Sequence, residues 1–187
     1  MTATTTTAPP ARLRIATTSL AGCFGCHMSL LDIDEALVDL MDRIELDRSP
    51  LTDIKHVGAG VDVGLIEGGV CNVENVEVLR EFRARCRVLV AVGACAMYGG
   101  IPSLRNGIPV ADLVAEAYLR DGLHQPQVPR DPELPPLLKS VLPLHEVVRI
   151  DVTLPGCPPP AAAFRELIVA TLEGRAPVLP ASARRFD

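Results

Sequence analysis

The residues with the most chemistry in this 187-residue chain are its cysteines, and their neighbours single four of them out. Cys23 and Cys26 form a C-x-x-C unit inside Gly22-Cys23-Phe24-Gly25-Cys26, Cys95 closes Gly93-Ala94-Cys95, and Cys157 lies in Pro155-Gly156-Cys157-Pro158. A C-x-x-C turn is short enough to aim two sulfurs at one centre, so it chelates a metal or a cluster. A cysteine followed directly by proline is a step that cluster-binding ferredoxins also use. Structural zinc sites usually pair two short C-x-x-C or H-x-x-H units. Here one such pair is joined by two single, distant cysteines, which favours an iron-sulfur cluster over zinc.

Each of these motifs ends an apolar run: Arg14 to Leu20, Val88 to Val92 and Val147 to Leu154. If the runs are parallel strands of one sheet, their ends share an edge and the cysteines converge there. Cys86 precedes its strand, so it belongs at the opposite edge as core packing, the usual fate of a free cysteine. Cys71 follows a strand end, four residues past Glu67. Edge geometry therefore leaves five candidates for four places, with Cys71 in reserve.

The elements that must position these residues alternate in type. Leu30, Ile33, Leu37, Leu40, Met41 and Ile44 recur at helical spacing, predicting one amphipathic helix over His27 to Ile44. Ile54 to Val57 reads as a short strand and Val61 to Ile66 as a firmer one. Asn72 is placed to cap a helix whose inner face is Val76, Leu79, Phe82 and Cys86. The glycines of Tyr98-Gly99-Gly100-Ile101-Pro102 allow a close backbone approach. Pro109 starts a helix that Gly122 stops, and prolines break the stretch from His124 to Pro143, leaving one short helix near Leu137 to Leu142. Pro158-Pro159-Pro160 delivers a last helix with Phe164, Leu167, Ile168 and Leu172 inward. These elements predict a three-layer α/β fold with a parallel sheet in flavodoxin-like order. It forms a single domain over residues 12–174, between a disordered N-terminal tail (1–11) and a loosely ordered C-terminal tail (175–187).

A formal net charge of −5 and 3% aromatic residues exclude the basic, stacking surface that nucleic-acid binding needs. No apolar run approaches the ~20 residues of a membrane helix. No signal peptide or twin-arginine pair precedes the first strand, so a cytoplasmic location is expected. In that reducing compartment the cysteines point to metal or redox chemistry, not to a disulfide framework.

Ala21-Gly22-Cys23-Phe24-Gly25-Cys26-His27-Met28-Ser29-Leu30-Leu31-Asp32, Gly93-Ala94-Cys95-Ala96-Met97-Tyr98-Gly99-Gly100-Ile101 and Pro155-Gly156-Cys157-Pro158-Pro159 together resemble the small subunit of nickel-iron hydrogenases. The first stretch is most similar to the cytoplasmic NAD-reducing (bidirectional) type. The resemblance implies a flavodoxin-like domain that holds one proximal 4Fe-4S cluster by Cys23, Cys26, Cys95 and Cys157, and leaves Cys71 out. It implies an electron-transfer role, with the Ni-Fe centre in a partner large subunit and FMN and NAD in diaphorase (flavin and iron-sulfur) subunits. A second FMN on this chain is left open. The chain also departs from the family: His27 stands where many relatives have Ser, and Met28 where Glu is usual. Glu67 matches a glutamate the family places near the proximal cluster, where it can accept a proton or approach iron in an oxidised state; a carboxylate capping the next helix explains it equally well. His27 can donate to a cluster sulfide, but the favoured expectation is that it starts the helix and contacts a neighbouring subunit.

Three other readings are weighed. The cluster-bearing subunit of NADH:quinone oxidoreductase typically has adjacent cysteines, which Phe24 and Gly25 here separate. A flavin-binding flavodoxin-like module needs a phosphate loop where Cys23 and Cys26 stand. A zinc-stabilised scaffold is the non-redox alternative.

Overall fold

A computed structural model describes residues 12–184; the expected tail at 1–11 and the last three residues lie outside the described residues. Five strands form one parallel sheet: β1 (Leu13–Ser19), β2 (Ile44–Leu46), β3 (Val61–Glu67), β5 (Cys86–Val92) and β7 (Val152–Leu154), in the order β2-β1-β3-β5-β7. A separate two-stranded antiparallel ribbon joins β4 (Val70–Asn72) to β6 (Leu137–Leu142).

Side chains alternate across the sheet, so each inner strand feeds two cores. Val63 and Leu65 of β3 and Val90 and Val92 of β5 join Phe164, Leu167 and Ile168 of helix α6 (Ala161–Leu172) on one face. Leu30 of α1 (Gly25–Leu31) and Leu40 of α2 (Glu35–Met41) pack on the same side. Ile66, Leu89 and Ala91 meet Leu79 and Phe82 of α3 (Val73–Arg85) on the other. Burial on both faces explains why these strands read as continuous apolar runs. Asn72 caps α3 as its position predicts, its side chain accepting from the Asn75 amide at 2.8 Å. Two further helices follow β5: α4 (Gly93–Tyr98) and α5 (Val110–Tyr118).

Four local expectations are corrected. The helix predicted over His27 to Ile44 is two short helices, broken at Asp32 to Asp34, where Asp34 takes φ 56°. Aspartate tolerates positive φ better than most residues, which makes it a natural break. Ile44 then opens β2 at the sheet edge, and Ile54 to Val57, expected as a short strand, form none. Leu137 to Leu142 is a strand, not a helix: its partner β4 lies far away in sequence. Arg105 donates to the carbonyls of Cys71 and Leu138, and Asn106 both donates to and accepts from the Val141 backbone, so the ribbon is held by side chains of neither strand. The last strand is only Val152–Leu154, because the Asp151 carboxylate takes the Leu89 amide and the Arg83 guanidinium just before pairing begins.

After α6, Arg175 pairs with Glu166, and Ala183 is buried in the α6 core. At the other end of the sheet Asp47 is buried, accepting from the Gly58 and Arg48 amides and from Arg14 at 2.6 Å. Burial opposes its charge, but the two amides and Arg14 outweigh it and hold the carboxyl below the ordinary 3.8. A depressed folded pKa contributes stability that is present above the unfolded value and is lost as pH falls through the folded one. Denaturant unfolding followed from neutral pH to about pH 3 is therefore expected to show an acid-side loss of stability that Asp47→Asn flattens.

Candidate metal centre

All the inner strands of the sheet run the same way, so the loops leaving β1, β3, β5 and β7 emerge along one edge. Cys23 and Cys26 follow β1, Cys95 lies in α4 directly after β5, and Cys157 follows β7. Backbone hydrogen bonds stitch these loops together. Ala21 and Gly69 exchange a pair of bonds at 3.0 and 2.8 Å, fixing the β1 exit to the β3 exit. The Ala94 amide donates to the Gly156 carbonyl at 2.9 Å, fixing the β5 exit to the β7 exit.

Two glycines make room for the sulfurs. Gly93 has φ +79°, and a Cβ there would stand 2.5 Å from Cys26 Sγ. Gly100 has φ +47°, and a Cβ there would stand 2.7 Å from Cys95 Sγ. The expected close backbone approach at Gly99-Gly100 is thus made by Cys95. Cys23 and Cys157 are exposed, while Cys26 and Cys95 are partly covered.

Cys23 and Cys95 lie within electrostatic reach of Cys26, and Cys157 and Cys23 within reach of Cys95. As a free thiol Cys26 is pushed strongly upward, first by burial, then by the Glu67 carboxylate, then by Cys95 and Cys23. Cys95 is raised by burial and further by Cys157 and Cys23. A cation bound to sulfur reverses this, because a coordinating thiol gives up its proton outright, so filling the site would release protons. Cys71 is raised by burial and interacts with Arg105, and Cys86 is pushed to about 12 by burial among Arg83, Asp47 and Glu81; none of the four edge cysteines acts on either. Cys86 opens β5 at the opposite end of the sheet, packed against Gly64. Among the described residues no three His, Cys, Asp or Glu side chains already form a set around one metal ion.

Behind the C-x-x-C turn lies a buried polar chain. Glu67, the last residue of β3, accepts the Cys26 amide on Oε2 at 2.9 Å and His27 Nδ1 on Oε1 at 2.8 Å. His27 Nε2 meets Thr17 Oγ1 at 2.9 Å, and Thr17 Oγ1 meets Ser49 Oγ at 2.8 Å. All four residues are buried. Burial opposes the Glu67 charge, but His27, with Ser19 and Cys26, outweighs it and holds the carboxyl below the ordinary range. Glu67 is therefore an acceptor, and His27 Nδ1 carries the donated proton.

His27 lies in the first turn of α1 as expected, but its ring points into the chain and not toward a neighbouring subunit, and both of its nitrogens are engaged. Glu67 does cap a helix, but it is α1 through the Cys26 amide and not the helix that follows it in sequence. Phe24 was not singled out by sequence. It holds φ 67° at the N-cap of α1 and stacks on His27 with ring centroids 4.6 Å apart and planes 5° apart. A left-handed conformation costs a non-glycine residue about 1–2 kcal/mol, so it persists where surrounding contacts hold it. Thr17 and Ser49 were also missed; Thr17 sits in an apolar strand and Ser49 in a loop, with no spacing that links them.

The family described as NADH ubiquinone oxidoreductase, 20 Kd subunit, matches residues 23–171. The delta subunit of the NAD-reducing hydrogenase HoxS of Cupriavidus necator is 42% identical over 180 residues, covering 94% of this chain and 86% of that protein. A subunit of the F420-non-reducing hydrogenase vhu of Methanocaldococcus jannaschii is 35% identical; the match covers 90% of this chain and 59% of that longer protein. A chain of the crystal structure of NAD+-reducing NiFe hydrogenase in the H2-reduced state is 52% identical, with a TM-score of 0.92 over 95% of this chain and 100% of that one.

The space that Gly93 leaves for Cys26 can be tested against a neutral glycine. Gly93→Ala adds a methyl at a positive φ and into a sulfur, and is expected to cost about 1–3 kcal/mol in denaturant unfolding. Gly107→Ala, where an added Cβ meets nothing within 4 Å, is expected to stay within about 0.5 kcal/mol of the parent chain.

Proposed function

The chain belongs to the family of the NADH ubiquinone oxidoreductase 20 Kd subunit, and from that premise we infer that it is the electron-transfer small subunit of a soluble NAD-reducing NiFe hydrogenase. The observation that carries this reading is the arrival of Cys23, Cys26, Cys95 and Cys157 on stitched loops at one sheet edge. The parallel order β2-β1-β3-β5-β7 supports a flavodoxin-like assignment, since it is the 2-1-3-4-5 order of that class.

In this reading the four cysteines hold one 4Fe-4S cluster, which when bound takes up and passes on one electron at a time. The chain's own residues do the rest. Leu30, Leu65, Val92 and Phe164, with His27 and Glu67, line the small space behind Cys26. Glu67 fixes the Cys26 amide, and Gly93 and Gly100 give the sulfurs their space. The Ni-Fe centre belongs to the large subunit, and FMN and NAD to the diaphorase subunits, placing this chain between hydrogen oxidation and NAD+ reduction. Met28, Tyr98, Ile101, Leu104 and Ile108 are exposed on elements at or next to the cysteine edge, Ile101 by 71% and Leu104 by 74%. Apolar exposure of this kind is what a partner subunit covers. No described helix is long and apolar enough to cross a membrane.

The family description itself favours a second reading, the cluster-bearing subunit of NADH:quinone oxidoreductase. Phe24 and Gly25 between the first two cysteines speak against it, as does the full-length match to the NAD-reducing hydrogenase chain.

Iron, acid-labile sulfide and zinc analysis of the anaerobically purified protein, with EPR after reduction, is expected to give about four irons and four sulfides per chain. About one zinc and no sulfide would sink the cluster assignment. In the assembled complex Cys157→Ser is expected to abolish hydrogen-dependent NAD+ reduction, while Cys86→Ser leaves most of it. Equal loss from both changes contradicts the edge assignment.

A further inference from the structure

We propose that His27 is a positioning residue for the metal-binding turn, holding Phe24 and Cys26 in place through a ring that is restrained on three sides. One ring nitrogen donates to Glu67, the other meets Thr17, and a ring face carries Phe24. The inference rests on the cluster-holding role assigned to Cys23 and Cys26.

The turn needs such a support. Phe24 links the two cysteines in a left-handed conformation that a bulky residue does not adopt unaided. Stacking on a fixed, nearly parallel imidazole offsets this cost, and only a ring that cannot rotate serves as a platform. Rotation is blocked because either flip would break both buried hydrogen bonds. Glu67 then passes the restraint on: its second oxygen holds the Cys26 amide, so orientation of the histidine and orientation of the ligand backbone are set by one carboxylate. Thr17 is itself fixed by Ser49, which anchors the arrangement in the loop that follows β2. The ring has no free nitrogen for a metal or a sulfide, so its influence on the site runs through Glu67 and Phe24.

A histidine that merely fills space makes a different prediction, and three variants in the full complex separate the two. His27→Phe keeps an aromatic ring and removes both hydrogen bonds. Thr17→Val removes the bond to the second ring nitrogen, and with it the Thr17–Ser49 bond, with little change in shape. His27→Gln keeps a polar side chain but removes the ring that Phe24 stacks on. Positioning predicts that His27→Phe broadens or splits the EPR signal of the reduced cluster and speeds amide hydrogen exchange in the peptide spanning residues 23–27 by about tenfold. Thr17→Val shifts both readouts the same way by less, and His27→Gln, which removes the ring under Phe24, also departs from the wild-type signal. A wild-type line shape and wild-type exchange in both His27→Phe and Thr17→Val overturn the proposal, even if the unfolding temperature falls, because lower stability with an unchanged turn is packing alone. If His27→Phe does not fold, Thr17→Val decides by the same criterion. A parent complex without an iron-sulfur signal from this chain counts against the cluster assignment instead, and the exchange rates then decide the positioning role by themselves.

Discussion

The loops leaving β1 and β5 at the cysteine edge take their places from β3, which is hydrogen-bonded to β1 on one side and to β5 on the other along most of its length. Parallel pairing on both sides puts the ends of these strands level: Ser19 lies beside Glu67, and Glu67 beside Val92. The residues that follow are therefore neighbours before any side chain acts. The apolar faces of β3 hold this register, since a one-residue slip would turn Val63 and Leu65 out of one core and Ile66 out of the other. A site assembled from three distant segments thus inherits its precision from a rigid central strand, which is where such sites are held best.

Glu67 turns that alignment into chemistry. It is a buried carboxylate, which would be costly alone, but its two oxygens are taken by the Cys26 amide and by His27. The same side chain therefore ends the central strand, caps α1 and orders the C-x-x-C turn. Its negative charge also raises Cys26 as a free thiol, so the turn favours a bound cation over a bare thiolate. A metal bound at these cysteines would couple loading to proton release, since ligands must lose protons to bind metal.

Much of the architecture was legible in the residues. The runs ending in Glu67 and Val92 are strands because they are buried on both faces, and Asn72 caps α3 because a side-chain acceptor at that position satisfies a free amide. The separation of Cys86 from the edge cysteines followed from strand direction. What misled was local: helical spacing from Leu30 to Ile44 spans a real break at Asp34, and Leu137 to Leu142 has no strand signal of its own without β4. Pairing with a distant segment overrode local preference there.

The sequence by itself determined the alternation of strands and helices, the cysteines that can meet and the glycines beside them. These follow from burial period and from residue chemistry, both of which act within a few residues along the chain. Only the tertiary structure decided that His27 faces inward to Glu67 and Thr17, that Ser49 completes the chain, and that Phe24 stacks on the ring. The hydrogen bonds among them join residues ten to forty positions apart, from Thr17 and His27 to His27 and Glu67, and no periodicity encodes them. They exist because a polar side chain closed in between two packed layers must find its partner inside the fold, wherever the chain happens to supply one.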